Sequence, residues 1–114
     1  MADLKTKGRG RLLRIFIGEG ERIRGRPLHE ALVLKAKEMG LAGATVLRGF
    51  EGFGAHSRIE GKRAMKLSAD PTLVIEIIDN PDKIAKAAPV IESMVTQGLI
   101  VIEDVEVLKY VTRM

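Results

Sequence analysis

Apolar residues along this chain gather into four short β-rich runs and two longer stretches of helical spacing. Leu12-Leu13-Arg14-Ile15-Phe16-Ile17 is the first run, and Gly18-Glu19-Gly20 ends it. Pro27 stands where a helix would begin, with Leu28, Ala31, Leu32, Ala36 and Met39 at helical spacing and Gly40 as the stop. Ala44-Thr45-Val46-Leu47-Arg48 predicts a second strand and Leu73-Val74-Ile75-Glu76-Ile77-Ile78 a third. Asn80-Pro81-Asp82 opens a second helix, with an Asn cap, Pro in the first turn and an acid at the positive end of the dipole. Its apolar stripe is Ile84, Ala88, Ile91, Met94 and Val95, it ends at Gly98, and Pro89 inside it predicts a kink or break. Ile100-Val101-Ile102 opens the fourth strand, which continues or pairs again through Val105 to Tyr110.

The order β-α-β-β-α-β predicts an α+β, ferredoxin-like fold, an antiparallel sheet with two helices on one face. Residues 11–114 form the single domain, preceded by a flexible basic tail over residues 1–10. Two helices cover only one face, yet the strands are apolar on both alternating sets. Leu12 and Phe16 oppose Leu13, Ile15 and Ile17; Val74 and Ile78 oppose Leu73, Ile75 and Ile77. Leaving several such side chains wet would forgo about 5–10 kcal/mol. The pattern therefore predicts that another copy of the chain covers the second face.

Composition narrows the chemistry. Apolar residues are 46% and charged residues 30% of the 114, a globular balance. Aromatics are 4%, too few for stacking bases or sugars along a row of rings. The absence of Cys removes disulfides, thiolate zinc and a Cys nucleophile, and His29 and His56 alone offer little to a metal. No apolar run is long enough to cross a bilayer and the first residues lack a secretory signal's apolar core, so a soluble cytoplasmic protein is expected. The net charge of +4 is divided unevenly. Residues 1–67 hold 15 Lys/Arg against 7 Asp/Glu (+8), and residues 68–114 hold 4 against 8 (−4). Basic stretches in the tail, at Arg22-Ile23-Arg24-Gly25-Arg26 and from Arg58 to Lys66 suit an anionic partner.

About twenty residues, 49–68, separate the second and third strands, and a connection that long usually has a function. Gly49, Gly52 and Gly54 let backbone N–H groups approach an anion, and Arg58, Lys62, Arg63 and Lys66 supply neutralising charge. A dinucleotide fingerprint from Gly52 fails at Ser57, and a phosphate-binding loop ending in Gly61-Lys62 fails at His56 and Arg63. Arg48-Gly49-Phe50 echoes an RNA-recognition signature that Glu51 and Gly52 break. Ser57 beside His56 cannot form a triad by adjacency. Glu51 with Glu60, and Asp79 with Asp82, read as caps and solvated acids rather than catalytic pairs. No active site is evident, and a non-enzymatic protein is expected.

Phe16-Ile17-Gly18-Glu19, Gly25-Arg26-Pro27-Leu28, the run Met39 to Gly54 with its Ala-Thr-Val-Leu-Arg-Gly core, Val74 to Asp79, Gly98-Leu99-Ile100 and Asp104 to Val107 resemble the uncharacterised PII-like proteins of domain of unknown function 190. The resemblance spans residues 11–111. It implies a PII-like trimer and, since such proteins are often encoded beside CrcB-type fluoride channels, a membrane transporter or channel as partner. PII proteins bind ATP or ADP between subunits beneath a long loop with Gly-Phe-Gly at its base, which Gly52-Phe53-Gly54 resembles. Their pre-strand Asp-Gly-Lys is here Gln97-Gly98-Leu99, and their phosphate-binding arginines would fall at Tyr110 and Thr112, with Lys109 and Arg113 one step out of phase. A regular strand would turn those two cations to the other face.

The expected ligand-binding set is thus Arg48, Gly49, Gly52, Phe53, Gly54, His56, Ser57, Arg58, Lys62, Arg63 and Lys109. ATP, ADP or another adenine nucleotide is the cofactor class that the resemblance implies. The expected function is that of a non-enzymatic PII-like signalling protein, in which a nucleotide or other anionic ligand bound between subunits regulates a partner through the 49–68 loop, and two alternatives stand beside it. One is a nucleic-acid-binding module using the basic N-terminal half, disfavoured by the few aromatics; the other is a CutA-like trimeric scaffold.

Overall fold

The structure, a computed structural model, describes residues 8–50 and 71–112. In chain order its elements are β1 (Gly8–Gly18), β2 (Arg22–Ile23), β3 (Arg26–Pro27), α1 (Leu28–Glu38), β4 (Ala44–Arg48), β5 (Thr72–Asp79), α2 (Pro81–Met94) and β6 (Leu99–Val107). Four of the strands form one sheet in the order β4-β5-β1-β6, with every neighbouring pair antiparallel. Apart from the small β2–β3 hairpin, this is the expected ferredoxin-like βαββαβ arrangement.

Register explains which face the helices take. Leu13 stands opposite Ile77 and Ile102, Ile15 opposite Ile75 and Ile100, and Ile17 opposite Leu73. These side chains share one face and, apart from Ile102 on the edge strand, which is 45% exposed, form a single core with Leu28, Leu32 and Ala36 of α1 and Ile84 and Ile91 of α2. Each Leu or Ile so buried contributes about 1.5–3 kcal/mol over its exposed state. The opposite face carries Leu12, itself buried, with Phe16, Leu47, Val74, Ile78, Leu99 and Val101, and no element of the described chain packs over its centre. Leu47, Ile78 and Leu99 are 48%, 39% and 54% exposed, so the two-faced pattern leaves apolar surface uncovered in a single chain.

Helix α2 begins as its sequence predicts, with the Asn80 side chain accepting a hydrogen bond from Lys83 N at 2.9 Å. It runs through Pro89 without a break. The carbonyl of Ala85 loses its helical donor there, but both residues are exposed and water can replace the bond. Asp79, completely buried, is a tie rather than a catalytic acid. Its carboxylate accepts from Ala42 N at 2.8 Å and Asn80 N at 2.7 Å and lies 3.6 Å from Lys83 Nζ, which also donates to Gly40 O. One side chain thereby fixes the turn before β4 to the start of α2.

Other boundaries differ from the sequence expectation. The ladder takes in Gly8, Arg9 and Gly10, opposite Val107, Glu106 and Val105, residues that the pattern assigns to the basic tail. The β2–β3 hairpin is an addition. Its turn residues Arg24 and Gly25 have φ of 51° and 79°, the signs a type I′ turn needs, but Arg in place of the usual Asn or Asp masks the signal. Pro27 remains extended (φ −55°, ψ 130°) opposite Arg22, so α1 starts one residue later. Gly98 has φ of 151°, and a Cβ there would stand 2.4 Å from Phe16 O. Only glycine admits β6 beside β1 at that point.

Candidate functional site

Two parts of the fold receive the expected ligand-binding residues. The first is the stem of segment 51–70. Gly49 N donates to Thr72 O at 2.7 Å and Glu19 N to Pro71 O at 2.9 Å, which brings the two ends of the segment together. Arg48 donates through Nε and Nη2 to Glu19 Oε1 at 3.3 and 3.2 Å. A Cβ on Gly49 would lie 3.1 Å from Thr72 O, so its small size lets β4 and β5 close at the stem. Gly52, Phe53, Gly54, His56, Ser57, Arg58, Lys62 and Arg63 lie outside the described residues.

The second part is a cleft of about 640 Å³ on the uncovered side of the sheet. Residues 42–45 with Glu76 and Ile78 form one wall, and residues 105–110 form the other. Its shape comes from how β6 ends. A Cβ on Gly10 would lie 2.8 Å from Val107 Cγ2 and 3.4 Å from Val105 Cγ2, so glycine lets the end of β6 press onto β1. The ladder stops at Val107, and Leu108 to Thr112 leave it without strand structure. The alternation that would have turned Lys109 to the other face therefore does not apply, and Lys109 lines the cleft with Tyr110. Arg48 stands at the far end of β4, three residues or roughly 10 Å from Thr45. It is not brought into the cleft beside Lys109.

Thr45, Glu76, Glu106 and Tyr110 are the polar lining that the sequence-expected set omits. Glu76 carried a signal, as the lone acid in the apolar run Leu73 to Ile78, and it stands directly opposite Thr45. It is held by Arg14, whose Nε donates to Glu76 Oε2 at 2.9 Å while Nη1 donates to Glu103 Oε1 at 3.1 Å. The hydrogen bond to Glu76, aided by the charges of both acids, raises the Arg14 guanidinium above its ordinary value against partial burial. Chemically the cleft offers a hydroxyl, two carboxylates, one ammonium and a phenol around apolar Ile78 and Val105. With one cation against two acids, it cannot by itself neutralise a polyphosphate.

Among the described residues, no group of three or more His, Asp or Glu is placed to hold a metal ion. No described helix is long and apolar enough to cross a membrane.

Comparison with known proteins places this geometry in context. Residues 10–107 match the family DUF190, described as "Uncharacterized ACR, COG1993". A UPF0166 protein of Aquifex aeolicus is 41% identical over 98 residues, covering 86% of this chain and 92% of the relative. The UPF0166 protein MJ1524 of Methanocaldococcus jannaschii is 28% identical over 102 residues, covering 89% and 94%. Among solved structures, a putative PII-like signalling protein of Thermus thermophilus superposes with TM-score 0.62 at 17% identity, over 91% of this chain and 94% of that one. CPII of Thiomonas intermedia, solved bound to ADP and bicarbonate, gives TM-score 0.54 at 16% identity, over 88% and 89%. At these identities the two structures establish a shared PII-like fold.

Proposed function

This chain belongs to the DUF190 family, and from that membership and its PII-like fold we propose that it is a non-enzymatic regulatory protein that works as a homo-oligomer and senses an adenine nucleotide. The observation that carries this reading is the cleft on the uncovered sheet face, where Thr45, Glu76, Lys109 and Tyr110 converge around apolar walls. Glu76 and Thr45 can accept from an exocyclic amino group, Ile78 and Val105 can flank a ring, and Lys109 can meet one phosphate. The remaining phosphate charge needs further cations. Arg58, Lys62 and Arg63 in the 49–68 loop, or basic residues of a neighbouring copy, are the supply. That a fold relative was solved with ADP makes adenine nucleotides the first probes.

The loop is the output. Ordering backbone costs about 1–2 kcal/mol per residue, whereas a micromolar ligand supplies about 8 kcal/mol. Either the ligand therefore acts only at the base of the loop, beside the stem that Arg48 and Gly49 already form with Glu19 and Thr72, or a partner protein, with a membrane transporter or channel as the leading class, completes its effect. Calorimetry with ATP, ADP and AMP tests the reading. The expected result is saturable heat at micromolar Kd for at least one nucleotide, about tenfold weaker for Lys109→Ala and for Glu76→Ala. No heat with any of the three, together with unchanged protease sensitivity of the loop, overturns it.

A further inference from the structure

The uncovered face is not uniformly apolar. At its middle one charged set spans three adjacent strands, with Glu76 on β5, Arg14 on β1 and Glu103 on β6. Leu12 and Ile78 flank it on one side along the strands, and Phe16, Val74 and Leu99 on the other. Arg14 and Glu76 are each 30% exposed at the side chain, whereas Glu103 on the edge strand is 56% exposed. Arg14 spends Nε and Nη1 on the two acids, and a guanidinium has three further N–H groups to give. Glu103 has a carboxylate oxygen beyond the one that Arg14 Nη1 reaches.

We propose that the Glu76–Arg14–Glu103 set is the register key of a self-association face, with Arg14 of one copy donating to Glu103 of the next. This rests on the homo-oligomer reading above and adds what aligns the copies. A second copy of this chain is the occupant because the set is self-complementary. One copy carries both spare donors and a spare acceptor for the pairing, within the same apolar surround. A purely apolar partner surface would bury those groups unpaired, which is strongly unfavourable. The pairing of Arg14 with Glu103 is met reciprocally in a two-fold pair or successively around a closed ring, and the copy number tells which. A buried ion set of this kind adds little to net affinity, but every other register strands a charge, so it selects one alignment and one copy number.

The test is native mass spectrometry and sedimentation of the full chain, with circular dichroism as the folding check. The wild type is expected to give one copy number. Arg14→Met leaves two acids facing each other and is expected to weaken association by about tenfold or more. Should that variant misfold, Glu103→Ala on the edge strand gives the same readout, several-fold weaker association with an unchanged fold. The triple variant Arg14→Met, Glu76→Leu, Glu103→Leu is expected to associate as strongly as the wild type but to distribute over more than one copy number. A wild-type oligomer whose strength and copy number survive in Glu103→Ala and in the triple variant overturns the key while leaving self-association standing. A wild type that is monomeric at every concentration overturns self-association itself, and the key with it.

Discussion

The two faces of the sheet use the same strands and nearly the same residue types, but they are finished differently. On the covered face Leu13, Ile15, Ile17, Ile75 and Ile77 are completely buried beneath α1 and α2. On the uncovered face Leu12, Phe16, Val74 and Ile78 occupy the alternate positions, and they enclose the Glu76–Arg14–Glu103 set rather than more apolar side chains. On the covered face the buried charge, Asp79, ties elements of the same chain, and intrachain crossovers fix how the helices lie. The uncovered face has no chain connection to align a partner, and in the proposed self-association directional polar contacts supply that information. Stability therefore resides on one side of the sheet, and the proposed recognition on the other.

That division can be broken in order of expected effect. Ile75→Ala, in the centre of the covered face, should cost about 3–4 kcal/mol in chemical denaturation. Phe16→Ala on the uncovered face should instead leave the fold intact and weaken subunit association by about tenfold or more, seen by sedimentation. Equal loss of fold stability in both variants would erase the distinction. Asp79→Ala removes the acceptor of two backbone N–H groups and the counter-charge of Lys83, and should cost about 2–3 kcal/mol without changing association. Gly98→Ala, forced against Phe16 O at a left-handed φ, should cost about 2 kcal/mol and disturb both faces, because it shifts the start of β6. The smallest effect belongs to Arg24→Asn, remote from both faces. Asn tolerates the φ of 51° better, so a gain of about 0.5–1 kcal/mol in thermal melting is expected, with association unaltered.

Much of the fold was legible along the chain, because strands and helices write their periodicity locally. Strand β4 lies where its apolar run predicts, α2 carries its Asn80 cap, and the two-faced alternation of β1 and β5 pointed to an uncovered side. The β2–β3 hairpin was not legible, since its strands are two residues long and Arg24 occupies a position normally betrayed by Asn or Gly. The site was legible only in part. Lys109 was expected from the family resemblance and lines the cleft, because the strand that would have turned it to the other face ends at Val107.

The sequence by itself determined the order of the four sheet strands and two helices, the family and the presence of an apolar face that a single chain leaves open, because each depends on residue type and spacing. The tertiary structure alone decided that Thr45 meets Glu76, that Arg14 bridges Glu76 and Glu103, and that the end of β6 presses over Gly10 to form a cleft. Those contacts join residues 31 to 97 positions apart. Register and strand curvature bring such residues together, and both follow from how all four strands pack at once rather than from the pattern of any one of them.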